Sequence, residues 1–427
     1  MNEPIFIARQ DTLEQEILPA HWLAQYKLFG EESYTFQDKE IWKKLCMSSA
    51  AANDRDMHAE ALEEMLTTFS AEHTGKWMLL VYGTDAAALE GLATMAAIAA
   101  NGTAMGAVVD NALLMHAIAN SQTAMQRIAN SQTAMQRVAN NTTAMDAIGR
   151  SRIARDAVQA SPYYNSYIKE NDMAIAKLAV ALANLESAGY SGMAGVAADS
   201  TAMTAVAASA TAMTAVAASS VARNAISASP YYDEKIKEND MAIAKLVVGF
   251  ANLESARYSG CAGMAADSTA MTAVAASSTA MTAVAASGVA LKAIAQAYKK
   301  TANMLQFLKA VNASDTLVKR IYSTLTGATG LFGATQLGSQ DGVESANSWA
   351  TTSAASNAFL ACACGYYSSG DSSVNVTYNG TVIAENKTGA KQPGSVTSTN
   401  VNAITMAPST FTENGDGWLA VQKFTVK

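Results

Sequence analysis

The sequence predicts a mainly α-helical protein that ends in a small antiparallel β domain. Three observations support this prediction. A ten-residue word rich in alanine and methionine recurs through the middle of the 427-residue chain. Longer segments with an apolar stripe at helical spacing interrupt these words. From Gly327 onward the composition shifts to glycine, serine, threonine and asparagine, and apolar and polar residues alternate as they do in strands.

Composition excludes several classes of protein. The net charge is −7 and only 15% of the residues are charged, so the chain lacks the basic stripe that nucleic-acid binding requires. The N-terminus has no basic region followed by a long apolar run, and the most apolar stretch, from Met173, is interrupted by Lys177, Asn184 and Glu186. We therefore expect a soluble protein made in a cytoplasm, with no nucleic-acid partner and no membrane insertion.

The N-terminal part of the chain, 1–82, is expected to form a helical head that serves for docking. The stretch DKEIWKKLCMSS places Ile41, Trp42 and Leu45 on one helical face. Three of the four histidines and most of the tryptophans of the chain also lie in this part. We therefore predict that it forms a compact domain.

A ten-residue period organises residues 83–160. Methionine falls at every tenth position from Met95 to Met145, and a valine or isoleucine follows three residues later each time. Ten residues turn a continuous helix by ~1000°, which is ~80° short of three full turns, so the apolar stripe of an unbroken helix would drift. We predict one helix of about two turns per word, and words stacked around a thin core as in a solenoid. Long helices that share a seam in an oligomeric bundle are the alternative.

Polar residues at fixed places in each word are expected to start and end these helices. Ser121 and Ser131 stand where a side-chain oxygen can accept hydrogen bonds from the first N–H groups of a helix. Asn120, Asn130 and Asn140 stand where a residue in the left-handed conformation can end one.

A longer repeat overlies the words. The segment SPYYNSYIKENDMAIAKLAVALANLESAGYSG begins at Ser161, and its near-copy SPYYDEKIKENDMAIAKLVVGFANLESARYSG begins at Ser229. Each segment is followed by about three words, which gives one module at 161–228 and another at 229–297. Because near-identical modules in tandem indicate recent duplication, we expect the number of modules to be variable.

Each module is expected to contain one stiff helix. Asn171 caps the first of these helices, and Tyr163 and Tyr164 in the preceding corner are interpreted as packing anchors rather than as a ligand platform. The apolar stripe of the helix runs through Ile175, Leu178, Leu182 and Leu185.

The last part of the chain is expected to combine a helix, a linker and a β-sandwich. Residues 298–354 are interpreted as a helix followed by the glycine-rich linker GATGLFGATQLGSQDG. Residues 355–427 are interpreted as the sandwich, because SVNVTYNGTVIAENKTG alternates in strand fashion around the turn dipeptide Asn379-Gly380.

Catalytic signatures are missing from the sequence. There is no P-loop, no GxSxG, no HExxH, no dinucleotide-binding fingerprint and no CxxC pair. Asp54 and His58 could hold a cation, but a solvated helix start is the simpler interpretation. Cys362 and Cys364 could form a metal or redox pair, but two small buried side chains are the simpler interpretation. We therefore predict no enzyme, no catalytic residue, no cofactor and no metal site.

One enzymatic alternative, a depolymerase, would need a pair of carboxylates in the β domain. The four acidic residues between 355 and 427 lie in predicted turns or at their edges: Asp371, Glu385, Glu413 and Asp416. This position does not favour a catalytic pair.

The repeated words resemble those of tail-fibre and related virion proteins of tailed bacteriophages. The resemblance rests on STAMxAVAAS-type words, KENDMAIAKL-type segments and the final GDGWLAVQKFTVK, and it covers about 90–300 and the last sixty residues. The resemblance implies a non-enzymatic rod, often a trimer, with one end on the particle and the other facing the host. The short chain and the sizeable helical head depart from long side fibres, so a baseplate, collar, tail or capsid-decoration protein stays open.

These expectations combine into one functional hypothesis. The head docks, the repeats space, and the β domain contacts the host, in a homo-oligomer that is made in the host cytoplasm and located in the virion. Expected partners are further copies of the chain, other virion proteins, and a host-surface glycan or protein. Self-association is inferred because abundant alanine and methionine faces would leave apolar surface on a monomer. The alternative function is a host-surface adhesin that binds its receptor through the C-terminal β domain.

Overall fold

The structure is a computed structural model that describes residues 62, 63, 66, 74, 75, 78, 86–89, 91–341, 347–350, 357–366, 373–388, 395–414 and 417–427. The described residues form two compact units, here called unit 1 and unit 2, that divide between Ala205 and Val206. The predictions made for the helical face of Ile41 and for the pair Asp54 and His58 lie outside the described residues.

Unit 1 consists of short helices joined by very little connecting chain. Its helices are α1 (Ala86–Leu89), α2 (Met95–Ala100), α3 (Gly102–Asp110), α4 (Ala112–Asn120), α5 (Gln122–Ala129), α6 (Gln132–Ala139), α7 (Thr142–Arg150), α8 (Arg152–Ala160), α9 (Tyr164–Tyr167), α10 (Asp172–Leu182) and α11 (Met193–Ala198). The division between the units falls within the next helix, α12 (Ser200–Ala208). The prediction of one short helix per ten-residue word is confirmed.

Consecutive helices of unit 1 meet at sharp bends, and the chain returns to the same side after every third helix. The bend between α3 and α4 is 100°. Helices α2, α5 and α8 stack in one column, α3, α6 and α9 in a second, and α4, α7 and α10 in a third. Unit 1 is therefore a solenoid with three short helices per turn.

At several bends of unit 1, such as that between α4 and α5, a single extended residue ends one helix and starts the next. The N–H of Ser121 donates to the carbonyl of Ile118 in α4 at 3.1 Å, and its Oγ accepts from the N–H of Ala124 in α5 at 3.1 Å. Ser121 has φ −95° and ψ 118°, which is the extended conformation usual for a helix cap. A word of ten residues thus accommodates a helix of about two turns and one bend.

The caps predicted at Ser121 and Ser131 are confirmed, but the left-handed asparagines are not. Asn130 and Asn140 have φ of −91° and −101°, and Asn120 is the last residue of α4. A left-handed residue closes a helix without opening another. An extended serine or asparagine can cap the following helix at once, so the tight sequence of helices favours it.

The repeated methionine, valine and isoleucine positions fill the interior of unit 1. Met125 and Ile128, three residues apart on one face of α5, are both completely buried. Among the described residues, the large apolar side chains that are exposed are Ile153, Leu337 and Val382. The structure therefore contradicts the alternative of long helices that share a seam between chains. It also removes the apolar surface from which self-association was inferred, so the homo-oligomer stays a prediction.

The stiff helix of each module forms, but it is shorter than predicted. The side chain of Asn171 caps α10 by accepting from the N–H of Ala174 at 3.1 Å, as expected. The helix ends at Leu182, and Asn184 takes the left-handed conformation with φ 59°, so Leu185 lies outside it. Asparagine enters this conformation more readily than most residues and here stops the helix.

Unit 2 repeats the three-helix turn and then continues into the β domain. Its helices are α13 (Ala210–Ala218), α14 (Ser220–Ser227), α15 (Tyr232–Lys235), α16 (Asp240–Phe250), α17 (Cys261–Ala266), α18 (Ser268–Ala276), α19 (Ser278–Ala286), α20 (Gly288–Gln296), α21 (Thr301–Asn312) and α22 (Asp315–Gly327). Helices α13, α16, α19 and α22 stack in one column, α17 and α20 in another, and α18 and α21 in the third. Residues 298–330 thus hold two helices where the sequence predicted one.

The β domain consists of two four-stranded antiparallel sheets. The strands are β1 (Phe332–Asp341), β2 (Asn347–Ala350), β3 (Ala358–Tyr366), β4 (Ser373–Tyr378), β5 (Thr381–Thr388), β6 (Val401–Met406), β7 (Ser409–Asn414) and β8 (Gly417–Val426). One sheet has the order β1-β8-β3-β6 and the other the order β2-β7-β4-β5. The hairpin turn is confirmed, with φ 46° at Asn379 and 75° at Gly380, as a type I′ turn requires.

The interpretation of GATGLFGATQLGSQDG as a linker is wrong. Most of this stretch forms β1, which pairs with β8 from Phe332 opposite Val426 to Asp341 opposite Trp418. The strand lacks the alternation that marked the others, and its partner lies far along the chain. The β domain therefore begins well before residue 355.

The last helices pack directly against the β domain. The buried side chain of Asn312 at the end of α21 donates to the carbonyl of Ile404 at 2.8 Å and accepts from its N–H at 3.0 Å. These two bonds complete the edge strand β6 as a neighbouring strand would. The Tyr322 hydroxyl of α22 donates to the carbonyl of Val396 at 2.6 Å. One apolar core extends from α16 through these helices into both sheets.

Among the described residues, no single helix combines the length and the apolar composition needed to cross a membrane. Three pairs of consecutive helices meet the length and composition criteria only when the two helices are taken together. The helices of each pair are bent by 100° to 104° relative to each other.

Candidate functional site

Serine side chains join successive turns of unit 1 at a constant separation along the chain. The Oγ of Ser131 donates to the carbonyl of Ala99 at 2.6 Å, and that of Ser151 donates to the carbonyl of Ala119 at 2.6 Å. Ser161 repeats the bond to the carbonyl of residue 129 at 2.5 Å. In each case the two residues are 32 positions apart, so the bond joins one turn of the solenoid to the next.

Each of these serines therefore makes several contacts at once. Ser151 accepts from the N–H of Ala154 at 3.3 Å as the cap of α8, while its hydroxyl proton satisfies a carbonyl of the previous turn. Its own N–H donates to Ile148 at the end of α7. Since Ser151 is only 2% exposed, water does not compete for these bonds. The arrangement fastens the backbone of one turn to the next.

A buried lysine in the stiff helix of unit 1 has a complete set of polar partners. Lys177 is fully buried, and its Nζ lies 2.6 Å from a carboxylate oxygen of Asp146 and 3.0 Å from the carbonyl of Ser187. The hydroxyl of Ser187 donates to the same carboxylate at 2.9 Å. Because a buried cation is costly unless it is paired, this cluster fixes α10 against α7.

The equivalent lysine of unit 2 has no carboxylate. Lys245 is 2% exposed and donates to the Thr214 hydroxyl at 2.9 Å, the Ser255 carbonyl at 2.9 Å and the Ala256 carbonyl at 3.3 Å. Burial lowers the pKa of this ammonium group. The buried hydroxyl of Ser255 has no hydrogen-bond partner among the described residues. The replacement of aspartate by threonine explains both features.

The tyrosines before each stiff helix pack against the cores, as the packing-anchor interpretation predicts. Tyr163 and Tyr164 contact the core of unit 1, and Tyr232 contacts that of unit 2. Burial and a nearby carboxylate, Glu170 for Tyr164 and Asp233 for Tyr232, raise the pKa of each phenol to about 12. These phenols therefore stay protonated at neutral pH.

A groove opens on unit 1 between α5 and α8, which are neighbours in one column. It has a volume of about 580 Å³, within the range typical of ligand pockets. One wall carries the side-chain amides of α5 and the other the charged pair Arg152 and Asp156 of α8. The lining residues are Gln122, Gln126, Ala129, Asn130, Arg152, Ile153, Asp156, Ala157, Ala160 and Ser161.

The cysteines and acidic residues weighed in the sequence do not form a reactive cluster in the described part of the chain. Cys362 and Cys364 are both buried in β3 and are not joined in a disulfide. Glu385 lies exposed in β5, the side chain of Glu413 lies outside the described residues, and so do Asp371 and Asp416. Within the described ranges, no group of three histidine, cysteine, aspartate or glutamate residues could hold a metal ion.

Sequence reasoning missed the buried lysines and the groove. A signal for the lysine was present, because Lys177 is the one charged residue after Asp172 in an otherwise apolar helix. The sequence contained no comparable signal for the groove. Helices α5 and α6 have almost the same sequence, and they differ in the side chains of the next turn that lie beside them.

No protein-family model matches this chain, and a search of curated proteins finds no match.

Proposed function

We propose that the protein is a non-enzymatic structural component of a bacteriophage virion, a tail fibre or related appendage that holds an attachment domain away from the particle. The observation that carries the proposal is the set of serine bonds at a 32-residue separation, which fasten each turn of unit 1 to the next. A spacer has to keep its length under load, and bonded turns with short bends have little freedom to stretch.

The larger repeat also supports a spacer. Residues 161–228 contain six helices, α9 to α14, and residues 229–297 contain six more, α15 to α20. Because one turn takes three helices within each unit, a module of six helices has the number of helices that two whole turns require. A change in module number would then add or remove helices in multiples of three and keep the helix count in step with the turn.

The β domain is the candidate for the contact end, and this is where an adhesin function would reside. Val382 on the edge strand β5 is 48% exposed, although apolar side chains of this size are mostly buried in the described part of the protein. Because the domain shares its core with α21 and α22, removal of 355–427 would uncover that core. Point substitutions on exposed strand residues are therefore the appropriate test of binding.

Mass spectrometry of density-purified phage particles from a culture that carries the coding sequence tests the proposal. We expect peptides of the chain in the particle fraction at a fixed ratio to a major capsid protein, in several copies per particle. A protein that is abundant in the lysate and missing from infectious particles would contradict a virion role. Val382→Ser should then leave the protein in particles and, if the adhesin alternative holds, reduce adsorption to host cells.

A further inference from the structure

The groove between α5 and α8 is an open counterpart of a site that is filled in the neighbouring column. Helices α5 and α6 present nearly identical walls, QTAMQRIAN and QTAMQRVAN. On α6, the amide of Gln132 donates to the phenol oxygen of Tyr167 at 2.7 Å, across one turn of the solenoid. On α5, the side chains of Gln122, Gln126 and Asn130 have no hydrogen-bond partner among the described residues.

The position of each residue relative to the serine at the start of its turn shows which residue of the α5 column corresponds to Tyr167. Tyr167 lies six residues after Ser161, and Ala157 lies six residues after Ser151. Both serines make the same inter-turn bond, so Ala157 occupies the place in the α5 column that Tyr167 occupies in the α6 column. Ala157 lines the groove. An alanine thus replaces the tyrosine and leaves room for a ring.

The rest of the groove suits an aromatic ring with a hydroxyl group. Ile153, 38% exposed, and Ala160 offer apolar contact to a ring face. Arg152, whose Nε lies 3.5 Å from a carboxylate oxygen of Asp156, has a largely exposed side chain, so its guanidinium group can lie over a ring in the groove. Tyrosine, which brings a large apolar face and one polar group, is common at the centre of protein interfaces.

We propose that this groove docks a tyrosine side chain of a partner protein, with the phenol oxygen bound by the amide of Gln122 as Tyr167 is bound by Gln132. The volume of about 580 Å³ also leaves space for the residues that flank the tyrosine in a short peptide segment. The inference is independent of the virion role.

Methyl NMR of the full chain labelled at isoleucine tests the proposal, with N-acetyl-L-tyrosinamide as the probe. We expect a saturable shift of the Ile153 methyl signal. N-acetyl-L-phenylalaninamide, which lacks the hydroxyl, should bind about 2- to 12-fold more weakly, the factor that one hydrogen bond represents. N-acetylglucosamine serves as the carbohydrate probe, and a shift produced by this sugar but not by the tyrosine probe would overturn the proposal.

Three variants complete the experiment. Ala157→Tyr copies the filled column and should abolish probe binding without lowering the unfolding temperature. Gln122→Ala should reduce tyrosinamide binding to the level of the phenylalanine probe. Gln132→Ala alters the matching amide in the filled column and should leave the Ile153 response unchanged. Equal binding of the tyrosine probe to a folded Ala157→Tyr variant, or no saturable response in the unaltered chain, would show the proposal to be wrong.

Discussion

The ammonium group of Lys245 donates to the hydroxyl of Thr214 at 2.9 Å, at the position where Lys177 of unit 1 donates to the carboxylate of Asp146 at 2.6 Å. The two sites occupy the same place in successive copies of the longer repeat and differ in one acidic side chain. One chain therefore contains the same buried lysine with and without a counter-charge, so each site is a control for the other.

Thr214→Asp is expected to stabilise the protein. The new carboxylate would pair with Lys245 and accept the hydroxyl of Ser255, as Asp146 accepts Ser187 in unit 1. Hydrogen bonds to charged groups contribute about 1–3 kcal/mol, so the free energy of unfolding should rise by that order. Urea denaturation measures the change. The reverse substitution, Asp146→Thr, should cost about 3–5 kcal/mol because it leaves Lys177 buried and unpaired. A loss of stability in Thr214→Asp would contradict this account.

Stability is expected to depend on the protonation of Lys245 at alkaline pH. Burial lowers the pKa of its ammonium group in the folded protein, so the unfolded chain binds this proton more tightly. The loss of stability caused by burying the charged ammonium group is fully present below the lowered pKa. It disappears as the pH rises to ~10.4, the ordinary pKa of lysine. Lys245→Met has no such group, so its stability advantage over the unaltered protein should shrink across this window.

Buried tyrosines make both the unaltered protein and Lys245→Met less stable as the pH rises. The test therefore uses the difference in the free energy of unfolding between the two proteins. The pKa of Tyr164 and of Tyr232 is raised to about 12, so the stability these phenols provide is present below ~10 and is lost above it. This loss is common to the unaltered chain and to Lys245→Met, and it cancels. Urea denaturation at a series of pH values gives the two curves, and parallel curves would exclude a titrating Lys245.

Deletion of residues 210–277 is expected to give a folded protein that is shorter by two turns. The deleted segment has the length of one module, and the junction restores a native sequence because DSTAMTAVAAS precedes both Ser278 and residue 210. With helix layers 8–10 Å apart, the solenoid of unit 2 should shorten by about 16–20 Å, a change that small-angle X-ray scattering can detect.

Deletion of 268–277 is the matched control. It removes one ten-residue word and also leaves a native junction, but it moves α19 and every later helix to the wrong column. We expect this variant to unfold at a lower temperature or to aggregate. Equal stability of the two deletions would mean that three helices per turn is not the unit the fold requires.

Gly249→Ala is expected to destabilise unit 2. A Cβ at Gly249 in α16 would overlap the carbonyl oxygen of Ala217 in α13, and overpacking of this kind costs about 1–3 kcal/mol. At the equivalent positions of unit 1 the order is reversed, with Gly149 facing Ala181. Thermal unfolding measures the loss.

Gly106→Ala is a control that is expected to change stability in the opposite direction. A Cβ at this position of α3 would contact nothing within 4 Å. Since alanine favours helix over glycine by up to about 1 kcal/mol, this variant should be more stable than the unaltered protein. Destabilisation by both alanines would point to a general effect of the substitution rather than to close packing at Gly249.

Ser151→Ala is expected to weaken the join between two turns. It removes the cap of α8 and leaves the carbonyl of Ala119 without its partner, which together should cost about 2–4 kcal/mol. Hydrogen exchange should also speed up in α8, which loses its cap, and in α4, which loses the bond from Ser151. Ser278→Ala, an exposed serine at the start of α19, should change stability by no more than about 0.5 kcal/mol.

The short helices of the solenoid could be predicted from the sequence, whereas the number of helices in each turn could not. The period of ten, the drift of an unbroken stripe and the serines at helix starts were enough to infer one short helix per word. The number of helices per turn depends on the bend, which the backbone angles of residues such as Ser121 set, and a repeat length does not specify those angles. For the same reason, the register that brings Gln132 to Tyr167 could not be foreseen.

The β domain shows a similar limit. The hairpin around Asn379 and Gly380 was predictable because the turn residues are adjacent in sequence and require φ > 0. Strand β1 was missed because its pairing, Phe332 opposite Val426, joins distant parts of the chain. That Lys245 has no counter-charge could not be predicted either, because the residue that faces it, Thr214, lies on another helix.

The short connections between the helices of unit 1 have a consequence for resistance to proteolysis. Proteases cut chains that can be drawn into an extended stretch, and such stretches are usually surface loops. Arg127 and Arg137 are exposed cleavage points for trypsin, but each lies within a short helix flanked by the next bend. Cutting there requires a whole turn to detach from its neighbours, so the repeat region of unit 1 should outlast ordinary loop-rich domains in a digestive environment.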